Sequence, residues 1–380
     1  MTKKLLSLLC LFSLISACEK KPQFQNALDY ALNSNDPRIK NIIDSVQRYE
    51  VQIKFTKIKR TKDSVIFEDN GFQVNSNNYF YPASTVKLPI AVLALEKLNQ
   101  MDLLNKDTHY YVEGDTIETT FAADITKIFV VSDNAANNRL FEFLGQDFIN
   151  KSLKEKGLDS IRISHRLSTD EPYEITTKPL IVYLNDSTTT MLEKTVNTSA
   201  IPLKLNGIKK GIGYYEENEL IHEPFDFGLK NHYPINAQHN VLKRLIFPNC
   251  FKENERFDLS SDQREFLLKT MQLLPKEAGY DSEEFYDSYV KFFMFGDKKS
   301  KMPENIDILN KVGYAYGTLT DCAYINDRKN NVEFLLTATL LVNSNQIFND
   351  NTYEYDHIGI PFLAALGQEI HSFEVSAKNK

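Results

Sequence analysis

Residues 81–90 read YPASTVKLPI and run straight into an apolar stretch that continues to Leu98. Ser84 and Lys87 stand three residues apart there, where a proline-marked turn gives way to helical apolar spacing. Residues three apart on a helix share a face, so the hydroxyl and the amine would lie side by side. A serine hydroxyl is a poor nucleophile and needs a neighbour to take its proton. Lysine can be that neighbour only if its pKa is lowered, which burial and a second nearby cation both achieve. The spacing alone is weak evidence, because Ser288 and Lys291 repeat it in DSYVKFF, where it reads as helix surface.

Two segments further along set Ser84 apart. VVSDNAANNRL supplies Ser132, Asp133 and Asn134, and LNKVGYAYGT supplies Lys311, Val312 and Gly313 on a strand-like alternation. In that order the three segments resemble the S-x-x-K, S-D-N and K-T-G elements of the penicillin-recognising serine enzymes. PASTVKLPIAVLALEKL, SDNAANNRLFEFLG and KVGYAYGTLTDCAYI also resemble class A β-lactamase segments beyond the motif letters. The resemblance covers residues 81–145 and 235 to the C-terminus. It implies Ser84 as nucleophile, Lys87 as its base and Lys311 as the second cation. Ser132 would relay a proton to the leaving nitrogen, and Asn134 would orient Lys87 and the substrate amide. The backbone amides of Ser84 and Tyr314 would form an oxyanion hole, with Gly313 letting the strand approach closely. Each piece also has a plain reading, such as Asp133 as a helix N-cap and Lys311 as an exposed strand residue.

The chain departs from that family in two places. Val312 stands where the family has threonine or serine, whose hydroxyl binds the substrate carboxylate, so Val312 is an altered substrate-binding position. After S-D-N, Arg166 resembles the arginine that opens a family loop carrying E-x-x-L-N. HRLSTDEPYEITTKP follows here instead. Asp170, Glu171 and Glu174 are the available carboxylates, with Glu171 chosen as the base for deacylation and a solvated loop as the plain alternative.

Composition agrees with an enzyme-sized globular body. The chain has 380 residues, 42% hydrophobic and 25% charged, with a formal net charge of −7 that argues against nucleic-acid binding. There is no G-x-S-x-G elbow, and the seven histidines include no H-x-x-x-H pair, so neither an α/β-hydrolase nor a metal site is supported. No cofactor is implied.

Alternation in VQIKFTKIK sends Val51, Ile53 and Phe55 inward as a strand, and the strand pattern returns in DILNKVGYAYGTLTDCAYI and VEFLLTATLLV. Helical spacing dominates from Ser84 to about Gly157 and returns at AQHNVLKRLIF, SSDQREFLLKTMQLL and GIPFLAALGQEIHSFE. The expected class is α+β, a β-lactamase/transpeptidase-like fold. An antiparallel sheet built from both chain ends would pack against an all-helical lobe. Residues 27–380 form the catalytic domain, with an atypical inserted segment of irregular β structure at about 173–231.

The N-terminus reads as a signal. Lys3 and Lys4 precede an apolar run too short to span a bilayer, and small residues follow before Cys18. Residues 1–17 resemble a bacterial lipoprotein signal, cleaved so that Cys18 is lipidated and residues 18–26 form a tether. Removing the two lysines takes the net charge to about −9. The body would then lie outside the cytoplasm on a membrane anchor, in the periplasm or on the cell surface. Cys250 and Cys322 remain and could pair or stay as thiols.

The expected activity is hydrolysis of a β-lactam through an acyl-serine. The alternatives are a cell-wall-related peptidase or esterase, and a lipoprotein that binds β-lactams or peptides without turning them over.

Overall fold

A computed structural model describes residues 24–158, 160–281 and 283–378. The signal segment and Cys18 lie outside them. Five strands make the central sheet: β1 (Gln52–Arg60), β2 (Val65–Phe72), β3 (Ile306–Ala315), β4 (Thr318–Asp327) and β5 (Val332–Leu341). Their order is β3-β4-β5-β1-β2, and each neighbouring pair is antiparallel. Phe55 pairs with Leu336 and Lys311 with Cys322, so the two chain ends meet in one sheet, as the alternation predicts.

Each strand presents successive side chains to opposite faces. One face is covered by α1 (Ala27–Leu32) and the C-terminal α7 (Ile360–Lys378). There Ile53, Phe55, Ile308, Phe334 and Leu336 share a core with Phe362, Leu366 and Ile370. The other face carries the helical lobe: α2 (Lys87–Leu98), α3 (Phe121–Val130), α4 (Asn134–Leu144), α5 (Ile235–Ile246) and α6 (Ser261–Gln272). Every residue of α2 except Lys97 is buried, as befits a helix that is apolar nearly all round. It is the axis of the lobe.

Side-chain bonds fix the lobe in place. Asp133 caps α4 by accepting from the Ala136 N–H at 2.6 Å, the role its plain reading gave it. Arg139 of α4 donates to the buried Asp124 of α3 at 2.5 and 2.8 Å, and the Tyr110 hydroxyl donates to the same carboxylate at 2.6 Å. His239 of α5 sits between the hydroxyls of Thr56 (2.7 Å) and Thr337 (2.9 Å) on the sheet. Burial lowers its pKa to about 3, which keeps it a neutral packing residue.

Helices dominate residues 84–157 as the spacing predicts, with the strand His109–Val112 among them. It pairs with Leu180–Asn185, which in turn pairs with Thr188–Leu192. The short HYYV segment also pairs locally with Thr119–Thr120, so its strand has partners both near and some seventy residues along the chain. Ser288 and Lys291 are not helix surface, since both are 1% exposed. The Lys291 ammonium donates to the carbonyls of Met271 (2.7 Å) and Ile308 (3.0 Å) and to Asn310 Oδ1 (2.8 Å). It ties the end of α6 to β3. Cys250 is exposed and Cys322 buried, and both are free thiols.

Candidate active site

The site forms where α2, the link between α3 and α4, and the edge strand β3 converge. A turn of 3-10 helix, Ala83–Val86, leads into α2 and carries Ser84. Thr85 clamps this turn, donating its N–H (3.1 Å) and its hydroxyl (2.6 Å) to the Pro82 carbonyl. Side chains three apart nearly eclipse on such a turn, which aligns Ser84 with Lys87.

Lys87 is fully buried. Its Nζ donates to the Ser132 carbonyl and to Asn134 Oδ1 (2.7 Å), with Ser132 Oγ at 3.3 Å. Lys311 approaches from β3 and donates to the same Ser132 hydroxyl at 2.8 Å and to the Val312 carbonyl at 2.9 Å. Burial lowers Lys87 to about 7. Lys311 is held well below the usual lysine range, first by burial and then by repulsion from Lys87. The effect is to present a deprotonated amine near neutral pH, the state a base requires. The plain reading of Lys311 as an exposed strand residue fails, since it is 2% exposed. Among the described residues Lys87 bonds to Ser132 and Asn134 and not to Ser84 Oγ. Contacts of that kind tighten when substrate binds.

Gly313 shows why β3 carries glycine here. A Cβ at this position would lie 2.7 Å from the Ser84 nitrogen and 2.9 Å from both the Pro82 carbonyl oxygen and the Thr85 nitrogen. Glycine alone lets strand and turn touch backbone to backbone. The next residue, Tyr314, borders the same cavity as Ser84.

Val312 corrects the sequence reading. Lys311 faces the helical lobe, so the pleat turns Val312 the other way, into the core with Ile308, Leu319 and Phe362. At 2% exposed it does not line the cavity and cannot serve as a substrate-binding side chain.

Glu171 is also misplaced by the sequence reading. Arg166 is buried and grips Glu142 through two bonds of 2.5 and 2.8 Å. Its N–H donates to the Pro172 carbonyl at 3.0 Å, closing the loop over itself. Ser168, held at a left-handed φ of 47°, accepts from Asn134 Nδ2 at 3.0 Å. Ser168 is therefore the loop residue that meets the site. Glu171 is exposed and borders an adjoining cleft with Glu113 and Asp115, as do Asp170 and Glu174; that cleft shares Arg166, Ser168 and Thr169 with the Ser84 cavity.

The cavity over Ser84 is about 480 Å³ and is lined by Asn134, Ser168, Lys230, Tyr314 and Tyr316 among others. Lys230 and Tyr316 were not singled out from sequence. Lys230 lies within residues 173–231, where no motif marks it, and Tyr316 lies just past one. Among the described residues no group of three or more His, Cys, Asp or Glu side chains gathers as a metal site.

Residues 36–201 match the model of the Beta-lactamase enzyme family. The match takes in Ser84, Lys87, Ser132 and Asn134 and stops short of β3. A β-lactamase from Xanthomonas campestris pv. campestris is 14% identical, covering 91% of this chain and 99% of its own, with a TM-score of 0.50. β-Lactamases from Desulfarculus baarsii (14% identity, 87% and 95% covered, TM-score 0.48) and Sphaerobacter thermophilus (12% identity, 90% and 94% covered, TM-score 0.45) are similar over comparable spans. No curated protein sequence matches the chain. The chain has the β-lactamase-like α+β fold, and its residues 36–201 are similar to the Beta-lactamase enzyme family.

Proposed function

We propose that this protein is a serine hydrolase of the class A β-lactamase type, acting through an acyl-enzyme on Ser84. The supporting observation is the convergence on the Ser132 hydroxyl of Lys311 and of Lys87, three residues along the chain from Ser84. Lys87, neutral near pH 7, takes the Ser84 proton as Oγ attacks an amide or ester carbonyl. The N–H groups of Ser84 and Tyr314 receive the oxyanion. Ser132 passes its proton to the leaving nitrogen and regains one from Lys87, whose Nζ lies 3.3 Å from its Oγ, while Lys311 steadies the hydroxyl. The body is exported and held at a bacterial envelope membrane by lipid on Cys18.

The cavity favours a particular form of this reading. No aspartate or glutamate is among the described residues lining it. Hydrolysis of an acyl-serine needs a base placed to activate water. Acylation is therefore expected to outrun deacylation, and the protein to bind or sense its ligand covalently more than it turns it over. Intact-mass measurement over time after mixing with benzylpenicillin tests both halves. An adduct that maps to Ser84 and persists is the expected result. An adduct on another residue, or none, removes the acyl-serine reading, and rapid turnover without accumulation removes the slow-deacylation form.

A further inference from the structure

Part of the Ser84 cavity is built from groups that the chemistry above does not use. Lys230, within residues 173–231, is half-buried among aromatic rings. Its Nζ lies 5.3, 5.8 and 5.4 Å from the ring centroids of Tyr173, Phe225 and Tyr316, and 3.4 Å from the Tyr316 hydroxyl. Ring faces partly offset the charge of an ammonium but do not neutralise it. Because no described carboxylate lines the cavity, the charge faces the ligand space without a counter-ion.

Tyr316 is held there at some cost. It and Gly317 form the two-residue turn between β3 and β4, with φ of 52° and 71°. Positive φ at both positions defines the hairpin turn that normally takes asparagine or glycine, and a bulky ring in it is strained. The strain places the Tyr316 ring edge-on to Tyr81, 4.9 Å between centroids, and 5.4 Å from the Lys230 ammonium. Asn349 and Asn351, themselves at φ of 60° and 57°, border the same cavity. A cation, amide groups and flat apolar walls thus meet on one side of Ser84. Val312, with its side chain in the core, supplies no polar group for an anion.

Building on the acyl-serine reading, we propose that Lys230 is the anion-recognition residue of this site. Its substrate then carries a carboxylate for the Lys230 ammonium and a flat apolar group that packs against Tyr316 and Tyr81.

Benzylpenicillin and its methyl ester differ only in the carboxylate and make the test. Binding of each is measured by calorimetry to Ser84→Ala protein, which cannot be acylated, alone and combined with Lys230→Met or Lys230→Arg. One hydrogen bond to a charged group implies roughly a tenfold to hundredfold preference for the carboxylate. That preference should fall to near one with Lys230→Met, which keeps the aliphatic stem against the rings, and return in part with Lys230→Arg. Equal binding of the two ligands, no binding of either, or a preference that survives Lys230→Met would overturn the proposal. Failure of wild-type Ser84 to form an adduct would sink the hydrolase reading alone, because the binding arm needs no chemistry.

Discussion

Gly313→Ala gives the sharpest test of how the site is assembled. The added Cβ would sit 2.7 Å from the Ser84 nitrogen and 2.9 Å from the Pro82 oxygen and the Thr85 nitrogen. Ordinary contact begins near 3.4 Å, so strand and turn must separate by about 0.7 Å. All three obstructing atoms are backbone, and the turn is clamped by Thr85, so no flexible side chain can give way. Gly313 does not have positive φ, which leaves steric overlap as the cause. Overpacking of this kind costs roughly 1–3 kcal/mol of stability. Displacing a nucleophile from its oxyanion donors by a sizeable part of an ångström should slow acylation by roughly tenfold to a hundredfold. The rate of adduct formation with benzylpenicillin, followed by rapid-quench intact mass, reads the second effect, and thermal unfolding reads the first. Val312→Ala serves as the contrast: it should lose stability from the core on the α7 side and acylate normally. Wild-type acylation by Gly313→Ala would show that β3 and the Ser84 turn do not act as one unit.

The pH dependence of acylation follows from Lys87. With its pKa lowered by burial to about 7, it is protonated and inactive below that pH, so the rate should climb about tenfold per unit up to pH 7 and then level; a flat profile from pH 5 to 9 would exclude Lys87 as the base. Val312→Thr should leave acylation unchanged and cost roughly 1–3 kcal/mol, because its hydroxyl enters an apolar core; faster acylation in a burst assay would place the side chain at the substrate after all. Glu171→Gln should not change the lifetime of the Ser84 adduct, since the carboxylate borders another cleft; a longer-lived adduct would show that the loop rearranges on acylation. Arg166→Met leaves Glu142 charged and buried without its partner, a loss of about 3–5 kcal/mol measurable by denaturant unfolding; a near-neutral effect would mean that the pair does not hold the loop.

Much of this arrangement was readable from residue order, for reasons that can be named. Val51, Ile53 and Phe55 alternate because they pack on one face of the sheet, into the core beneath α7, and a period-2 pattern survives wherever one face is buried. Ser84, Lys87, Ser132, Asn134 and Lys311 were legible because their chemistry demands particular side chains in a particular order. Val312 was misread because the letter pattern gives no pleat phase, and only the sheet shows which residues share the face of Lys311. Glu171 was misread because a loop closed by a backbone bond, Arg166 N–H to the Pro172 carbonyl, leaves no mark in its sequence. Lys230 had no motif at all. Its place depends on Tyr316, whose own position is set by a strained two-residue turn.

The sheet's construction from both chain ends also bears on how the protein reaches its native state. Gln52 finds its partner in Thr339, and the Ser84 turn waits for Gly313. A chain made or translocated from its N-terminus therefore presents β1 with no partner on one side until almost all of it has emerged. Contacts this distant in sequence are slow to close, and exposed apolar surface in the meantime favours aggregation. C-terminal truncation at any point before β5 should abolish folding outright. The enzyme-like cavity cannot exist in a partial chain, and its appearance would mark the last step of folding.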